Sequence, residues 1–320
     1  MTGALSTALR RGRRLSRAQQ EDLQGRLLVS PTVLVVVLVV VLPFLAVVLL
    51  SFLDVRLVDI PRLSFATLEF TTDNYAEMLS NSRFWGALGT TVAYATLTTV
   101  GAILVGLGVA LALRHPFRGR GLIRALVLMP YVLPVVAAAT IWKTLLNPQY
   151  GWVNAFGTDV LGWDGPIAFL STTSEDVAGI PVPVTLLTVV AFEIWKTAPL
   201  AFLFITARLQ FLPSDLEEAA EIDGATVTQR FRYIVLPQLR GVIAVLVLLR
   251  FVWSFQSFND VYLLTGGAGG TEVMAVKVYT ELITRADIGS AAAYGLALTV
   301  LLSGLLLIYV RVNRRSEVAE

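Results

Sequence analysis

Long apolar runs, separated by short polar segments, make up most of the chain from residue 27 to residue 310. A helix needs about 20 apolar residues to cross a hydrocarbon core of roughly 30 Å, and a water-soluble core does not require runs of that length. The pattern therefore predicts an all-α protein that crosses a membrane several times. The six predicted spans cover residues 27–52, 84–113, 122–146, 184–207, 241–263 and 288–310.

The first apolar run follows an arginine-rich tail and must be distinguished from a secretory signal peptide. The run is too long for a signal peptide and no A-x-A cleavage pattern follows it, so we interpret it as a true span. We expect short helices in the long loops 53–83 and 147–183. The predicted organisation is a basic tail (1–26), the first transmembrane helix (27–52), an extracytoplasmic loop (53–83), a five-helix core (84–310) and a C-terminal tail (311–320).

The amino-acid composition limits the kinds of chemical site that this chain can form. Hydrophobic residues make up 56% of the chain and charged residues only 15%. There is no cysteine and a single histidine, His115, which argues against thiol chemistry, disulfides, a metal site and a histidine-based catalytic pair. We expect no cofactor bound by this chain. The net charge of +2 gives no reason to expect a nucleic-acid partner, and we interpret the basic tail as a lipid-facing topology signal.

Arginine and lysine are distributed unevenly between the two sides of the predicted bundle. By the positive-inside rule, the side with more basic residues is cytoplasmic. Both termini and the segment 214–237 are therefore predicted to be cytoplasmic. The richer side holds Arg10, Arg11, Arg13, Arg14, Arg17, Arg26, Arg114, Arg118, Arg120, Arg124, Arg208, Arg230, Arg232, Arg240, Arg311, Arg314 and Arg315, and the poorer side Arg56, Arg62, Arg83, Lys277 and Arg285.

Residues 214–237 form a polar segment between two apolar spans, and their pattern predicts two short helices. An S-x-x-E pattern from Ser214 predicts a capping box at the start of the first helix. Gly224 is expected to end that helix, because glycine adopts the left-handed conformation easily. A T-x-x-Q pattern from Thr226 predicts a second capping box, and Pro237 is expected to close the second helix.

This helix–turn–helix has two open interpretations. Its apolar stripe and paired alanines suit insertion into a groove of a partner protein, and they also suit an amphipathic loop on the membrane surface. The stripe on the second helix consists of Val227, Phe231, Ile234 and Val235.

The spacing within the segment matches a known signature. From Glu218 to Pro237 the residues read EAA-x3-G-x9-I-x-LP without a gap. This resembles the cytoplasmic EAA signature of permease subunits in binding-protein-dependent ABC importers. The segment SFNDVYLLTGGAGG (257–270) is similar to the sugar-importer branch of these permeases, the maltose, trehalose and glycerol-phosphate type. The resemblance covers roughly the second to the sixth span.

The resemblance implies a type I ABC importer permease fold, without enzymatic activity, in a bacterial inner membrane. The implied partners are a second homologous permease, two cytoplasmic ATPase subunits that carry ATP and Mg²⁺, and an extracytoplasmic sugar-binding protein. Arginine-rich, lysine-poor usage indicates a high-GC bacterium, so our first hypothesis is an actinobacterial disaccharide importer, with trehalose as the solute. The residues implied in coupling to the ATPase are Glu218, Ala219, Ala220, Gly224, Ile234, Leu236 and Pro237.

The absence of an ATP-binding motif agrees with this interpretation. The sequence contains no GxxxxGK(S/T) pattern, so ATP hydrolysis is expected on another polypeptide. The segment TGGAGG (265–270) is glycine-rich but lacks the lysine and hydroxyl, and we predict a flexible turn there.

Polar residues inside the fourth and fifth spans are candidates for a solute path, because ionisable groups in a membrane are costly. On a straight helix, five polar residues of the fifth span occupy about a third of the circumference, with phenylalanines opposite, facing lipid or a neighbouring helix. Hydroxyl-binding groups beside an aromatic plane suit a sugar. The candidates are Arg250, Trp253, Gln256, Ser257 and Asp260, with Asn259 off the stripe, Glu193 and Lys196 in the fourth span, and Phe251, Phe255 and Phe258 opposite.

Several alternatives stay open. Glu193, Lys196 and Arg250 either pair to hold helices together, which we favour, or line the path. The loop 147–183 has no basic residue and either receives the binding protein or is simply solvated. A secondary transporter would use Glu193 as a proton carrier. A membrane glycosyltransferase or an intramembrane hydrolase would need the carboxylates of 215–221, but no metal-ligand partner accompanies them.

Overall fold

A computed structural model describes residues 17–62, 69–177 and 180–318. Within these ranges five helices are long and apolar enough to cross a membrane, and a bent helix pair supplies a sixth candidate span. The predicted all-α class is confirmed, and each of the six predicted apolar segments overlaps a candidate span, the third of which is the bent pair. The candidate spans are Leu28–Leu50, Ser82–Ala112, Val184–Leu209, Val227–Phe255 and Ile288–Arg311, with Arg120–Val132 and Val135–Leu145 as the bent pair.

The described helices are numbered in chain order, with wide π turns and one 3₁₀ helix between some of them. They are α1 (Arg17–Val36), α2 (Leu42–Leu50), α3 (Asp73–Ser80), α4 (Ser82–Ala112), α5 (Arg120–Val132), α6 (Val135–Leu145), α7 (Trp152–Asp159), α8 (Val184–Leu209), α9 (Ser214–Ile222), α10 (Val227–Arg230), α11 (Leu236–Phe255), α12 (Asn259–Thr265), α13 (Met274–Tyr279) and α14 (Ile288–Val318). The π turns are Val37–Val41, Phe231–Val235 and Thr280–Thr284, and the 3₁₀ helix is Leu57–Arg62.

The third predicted span is not straight. Its two halves, α5 and α6, meet at 101°. Leu133 between them is extended, with ψ of 136°, and Pro134 follows. A proline disfavours helical backbone in the residue before it, which explains the break at this point.

The centre of the bundle is the contact between α4 and α8. Gly106 of α4 lies against Ala201 and Phe202 of α8, where an added Cβ would stand 2.6 Å from the Ala201 Cβ. Small residues at such crossings allow two backbones to approach closely. The first span, by contrast, exposes its side chains: none of the residues in its most apolar stretch is buried within the chain.

The two long loops carry the expected short helices, and the second also carries a pair of strands that the sequence did not predict. The loop after the first span holds the 3₁₀ helix and α3, and Asn74 of α3 donates to the carbonyls of Ser51 and Leu53. The loop before α8 holds α7 and an antiparallel pair of strands, β1 (Glu175–Val177) and β2 (Ile180–Val182), in which Glu175 pairs with Val182 and Val177 with Ile180.

Candidate functional site

The 214–237 unit is a helix, a glycine turn and a second helix at one end of the bundle. Gly224 follows α9 with φ of 79°, the left-handed conformation. The amide of Ala225 donates to the carbonyl of Ala220 at 2.8 Å, and the amide of Gly224 donates to that of Glu221 at 3.0 Å. These two bonds form a Schellman motif, which satisfies carbonyls at the helix end. The predicted glycine turn is confirmed.

The two predicted capping boxes have different outcomes. At Thr226 the box forms: the Gln229 amide donates to Thr226 Oγ1 at 3.3 Å, and the Thr226 amide donates to Gln229 Oε1 at 2.7 Å. At the first helix the predicted start at Ser214 is confirmed, but the capping box does not form, because Ser214 is already helical and Pro213 occupies the N-cap position. With φ of −61° and ψ of 125°, Pro213 has the non-helical backbone that a cap requires.

The second helix of the unit does not stop at Pro237, so that prediction is wrong. α10, the π turn and α11 continue as one candidate span from Val227 to Phe255. Pro237 lies in the first turn of α11, directly after the π turn, where its missing amide is tolerated. The predicted apolar stripe is not uniformly covered, since Val227 is 73% exposed whereas Val235 is buried.

Ion pairs tie the unit to the bundle and across its own turn. Arg114, just after α4, binds Glu217 of α9 at 2.7 Å, so this carboxylate pairs with a residue outside its helix rather than capping its own helix. Glu221 of α9 binds Arg230 of α10 at 2.5 Å across the glycine turn. Val235 belongs to the buried core formed with α4, α8 and α11. The second helix is thus continuous with the bundle core.

The tip of the unit is open to solvent. Glu218 and Ala219 are exposed, and no hydrogen bond or ion pair of the Glu218 side chain is found among the described residues. Ile222 is 86% exposed, which is unusual for isoleucine and places apolar surface beside the turn. The remaining residues of the signature are Ala220, Ile234, Leu236 and Pro237, which are half-buried, and Gly224, which is exposed.

Four charged residues form a buried cluster between α8, α11 and α12. Glu193 Oε1 accepts from Arg250 Nη2 at 2.8 Å, and Glu193 Oε2 lies 3.2 Å from Lys196 Nζ. Lys196 also binds the carboxylate of Asp260. Two positive and two negative groups balance, which is the arrangement that buried charges require. Pairing of Glu193, Lys196 and Arg250 is confirmed, and Asp260 joins them.

The fifth predicted span is interrupted. α11 ends at Phe255, residues 256–258 are not helical, and α12 begins at Asn259. Ser257 Oγ in the break donates to Asp260 Oδ2 at 3.2 Å. The prediction of one straight helix over 241–263 is therefore wrong, because side chains in and after the break bond to other groups at the expense of helix continuity.

The interruption also divides the predicted polar stripe between two environments. Trp253 is 51% exposed, and Gln256 is exposed with it. Asn259, predicted off the stripe, is exposed as well. Phe255 is buried beside Ala95 and Leu302, which confirms contact with neighbouring helices. The residues that the prediction placed on the path but that are buried inside the chain are Arg250, Ser257 and Asp260.

Sequence reasoning missed a second buried ion group. Lys277 Nζ lies 3.1 Å from Glu281 Oε1, and Arg285 lies 3.2 Å from the same carboxylate. Lys277 is 1% and Glu281 2% exposed. Their i, i+4 spacing on a helix was the available signal.

In the predicted glycine turn, the hydroxyls of Thr265 and Thr271 bond at 2.7 Å and close the loop.

The chain belongs to the family described as binding-protein-dependent transport system inner membrane component, whose model matches residues 102–318. Two curated relatives cover most of its length. The chain is 34% identical over 284 residues to "Inner membrane ABC transporter permease protein YcjO" of Escherichia coli (strain K12), covering 88% of this chain and 91% of the relative. It is 31% identical over 291 residues to "Trehalose/maltose transport system permease protein MalF" of Thermococcus litoralis, covering 91% and 93%.

A solved structure shares the fold. The crystal structure of a bacterial ABC transporter involved in the import of the acidic polysaccharide alginate contains a chain with a TM-score of 0.76 and 21% identity, over 92% of this chain and 98% of that one. This likeness defines the fold as that of a type I ABC importer permease. The protein is therefore a multi-pass membrane permease component.

Proposed function

We propose that this chain is one of two homologous permease subunits of an ATP-driven importer that carries a disaccharide, with trehalose as the first candidate. The observation that carries the proposal is the exposed tip of the 214–237 unit, which carries the EAA spacing on a rigid turn. The trehalose/maltose relative supports a carbohydrate as the solute.

In this proposal the 214–237 unit is the contact with a separate ATPase. Glu218 faces basic groups of that subunit, and Ile222 adds apolar contact beside the turn. ATP and Mg²⁺ are bound by two ATPase subunits, since the sequence of this chain has no P-loop pattern. Movement of the ATPases reaches the spans through Val235 and Leu239, which lie in the bundle core. The bundle then changes from inward-open to outward-open.

The solute path in this proposal uses the exposed face rather than the whole stripe. Trp253, Gln256 and Asn259 offer an aromatic plane and amide groups for sugar hydroxyls. Glu193, Lys196, Arg250, Ser257 and Asp260 are assigned a different role: they hold the interrupted helix in place from behind.

Both termini and the 214–237 unit lie in the cytoplasm in this proposal, and an extracytoplasmic sugar-binding protein delivers the solute at the other end of the bundle. The basic asymmetry of the sequence supports this orientation. The loop 147–183 is the surface on that end with several acidic and no basic residues.

Co-purification and reconstitution test the proposal together. A tagged chain, expressed in the cells that make it and extracted in mild detergent, should retain a second permease and an ATPase. Proteoliposomes of this complex should take up labelled trehalose or maltose only with ATP and the binding protein. Sugar uptake by the chain alone, driven by a proton gradient, would instead establish a secondary transporter.

A further inference from the structure

Three aromatic side chains pack together just beyond the interrupted helix. The rings of Phe258 and Tyr262 are stacked, with centroids 4.9 Å apart and an interplanar angle of 18°. Tyr279 of α13 lies 4.8 Å from Tyr262 and 5.2 Å from Phe258. We name these three residues the outer aromatic cluster, because α12 and α13 follow α11 on the side away from the 214–237 unit.

The cluster is continuous with an exposed polar face. Tyr262 is 37% exposed, and its hydroxyl donates to that of Tyr279 at 3.4 Å. Gln256 and Asn259, on the preceding residues, are exposed as well. Amide side chains directed into lipid hydrocarbon leave their donors and acceptors without partners, which is costly. This face is therefore better suited to a hydrated path than to lipid.

The same face is electrically neutral. The charged residues nearest in sequence to the exposed face, Arg250 and Asp260, are buried and paired within the four-charge cluster. Lys277 and Glu281, which flank Tyr279, are buried and paired with each other. What remains exposed from Trp253 to Tyr262 is aromatic, amide or apolar. Such a surface provides ring planes and hydrogen-bonding groups but no counter-ion for a carboxylate or a phosphate.

We infer that the outer aromatic cluster is a binding site for the ring of an uncharged sugar at the extracytoplasmic end of the path. The C–H face of the ring stacks on Tyr262, and the hydroxyls of Tyr262 and Tyr279 bond to hydroxyls at the edge of the sugar. From there the sugar passes to Gln256 and Asn259. The inference rests on the proposed function and adds to it a binding site for the solute.

Substitutions at Tyr262 distinguish the contribution of its aromatic ring to sugar binding from the contributions of its hydroxyl and of its side-chain volume. In the purified importer complex in nanodiscs, binding of trehalose is measured by saturation-transfer difference NMR without the binding protein, and uptake is measured in proteoliposomes with it. Tyr262→Leu keeps apolar bulk and removes the ring, so we expect trehalose affinity to fall by about 2- to 10-fold. Tyr262→Phe keeps the stacking plane and removes one hydroxyl, so we expect a loss of affinity that is smaller than the loss in Tyr262→Leu.

The matched control is Trp85→Leu. Trp85 is 54% exposed and packs on Phe84 at 5.0 Å, so it is an exposed, paired aromatic on another helix. It should leave trehalose affinity unchanged. Equal affinities for Tyr262→Leu and wild type, or equal losses in Tyr262→Leu and Trp85→Leu, would overturn the site. Preferential binding of an acidic disaccharide, tested with lactobionate, would overturn the solute class. Absence of any sugar uptake by the wild-type complex would overturn the proposed function and, with it, this site.

Thermal unfolding of each complex accompanies the binding measurements. A Tyr262→Leu complex with the wild-type melting temperature and weakened binding supports the site. If Tyr262→Leu lowers both the melting temperature and the affinity, and Tyr262→Phe restores both, the residue acts through packing. That result would overturn the site.

Discussion

The ammonium group of Lys196 on α8 contacts the carboxylate of Asp260 on α12, 64 residues further along the chain. Glu193 holds Lys196 from the other side and also binds Arg250 of α11. The interrupted helix is therefore fixed on both sides of its break by residues of a single neighbouring helix. This arrangement leads to the first prediction.

Neutralising one member of the Lys196–Asp260 pair should destabilise the permease. Lys196→Met leaves a net negative charge and Asp260→Asn a net positive charge in a buried cluster, and each should cost about 3–5 kcal/mol. The double variant Lys196→Met/Asp260→Asn leaves Glu193 and Arg250 balanced, so it should recover most of that loss. Thermal unfolding of the purified complex measures the effect. Additive losses in the double variant would show that the pair is not coupled.

Gly224→Val should uncouple the 214–237 unit without preventing membrane insertion. Nothing lies within 4 Å of a Cβ added at Gly224, so a side chain there meets no clash. The strain comes from the backbone instead, because its φ of 79° is left-handed. A β-branched residue there costs about 1–2 kcal/mol or more, and the two helices should meet at a different angle. Normal amounts in the membrane should accompany loss of sugar uptake and of stimulated ATP hydrolysis.

The control for this prediction is Gly224→Asn, because asparagine tolerates the left-handed conformation. It should retain most of the coupling. If Gly224→Val imports sugar at the wild-type rate, the turn is not a coupling element and the unit is an amphipathic surface loop.

Charge reversal at Glu218 tests the proposed contact with the ATPase. The side chain is exposed and its replacement by lysine leaves helix propensity almost unchanged, so folding should be unaffected. Glu218→Lys should abolish stimulated ATP hydrolysis and co-purification with the ATPase, whereas Glu218→Gln should weaken them less. Unchanged co-purification of the lysine variant would exclude Glu218 from the contact.

Trp253→Ala should reduce sugar uptake, whereas Phe255→Ala should reduce the stability of the permease. Trp253 is 51% exposed, so its removal should reduce sugar uptake with little change in stability. Phe255 is 1% exposed, and truncating a buried phenylalanine to alanine costs about 3–5 kcal/mol. Unfolding curves and uptake rates of both variants measure these two effects. A stable Phe255→Ala complex with normal uptake would contradict the packing assigned to the Phe255 ring.

The orientation of the bundle can be tested directly. Reporter fusions at Trp163, in the loop before α8, and at Gln229, in the 214–237 unit, should report opposite sides of the membrane, with Gln229 cytoplasmic. α8 separates the two positions as a 26-residue candidate span. Signals from the same side would invalidate the proposed topology.

Much of this protein is determined by local sequence. Six apolar runs predict the spans because each depends only on its own length and hydropathy. The turn at Gly224 and the capping box at Thr226 were predictable for the same reason: the groups that form them lie within a few residues of one another. The EAA spacing is also local, so it indicates the family without any knowledge of the fold.

The tertiary structure decided what depends on distant groups. On a straight helix, the periodicity of residues 250–260 places Trp253 and Asp260 on one stripe. The helix is interrupted at 256–258, so this prediction does not hold. Lys196 draws Asp260 into the interior while Trp253 stays exposed. Likewise, the π turn before Pro237 lets the helix continue where proline alone predicts its end. Partners that lie dozens of residues apart in the chain leave no periodic signal, so only the folded bundle shows which polar groups hold it together and which ones face outward.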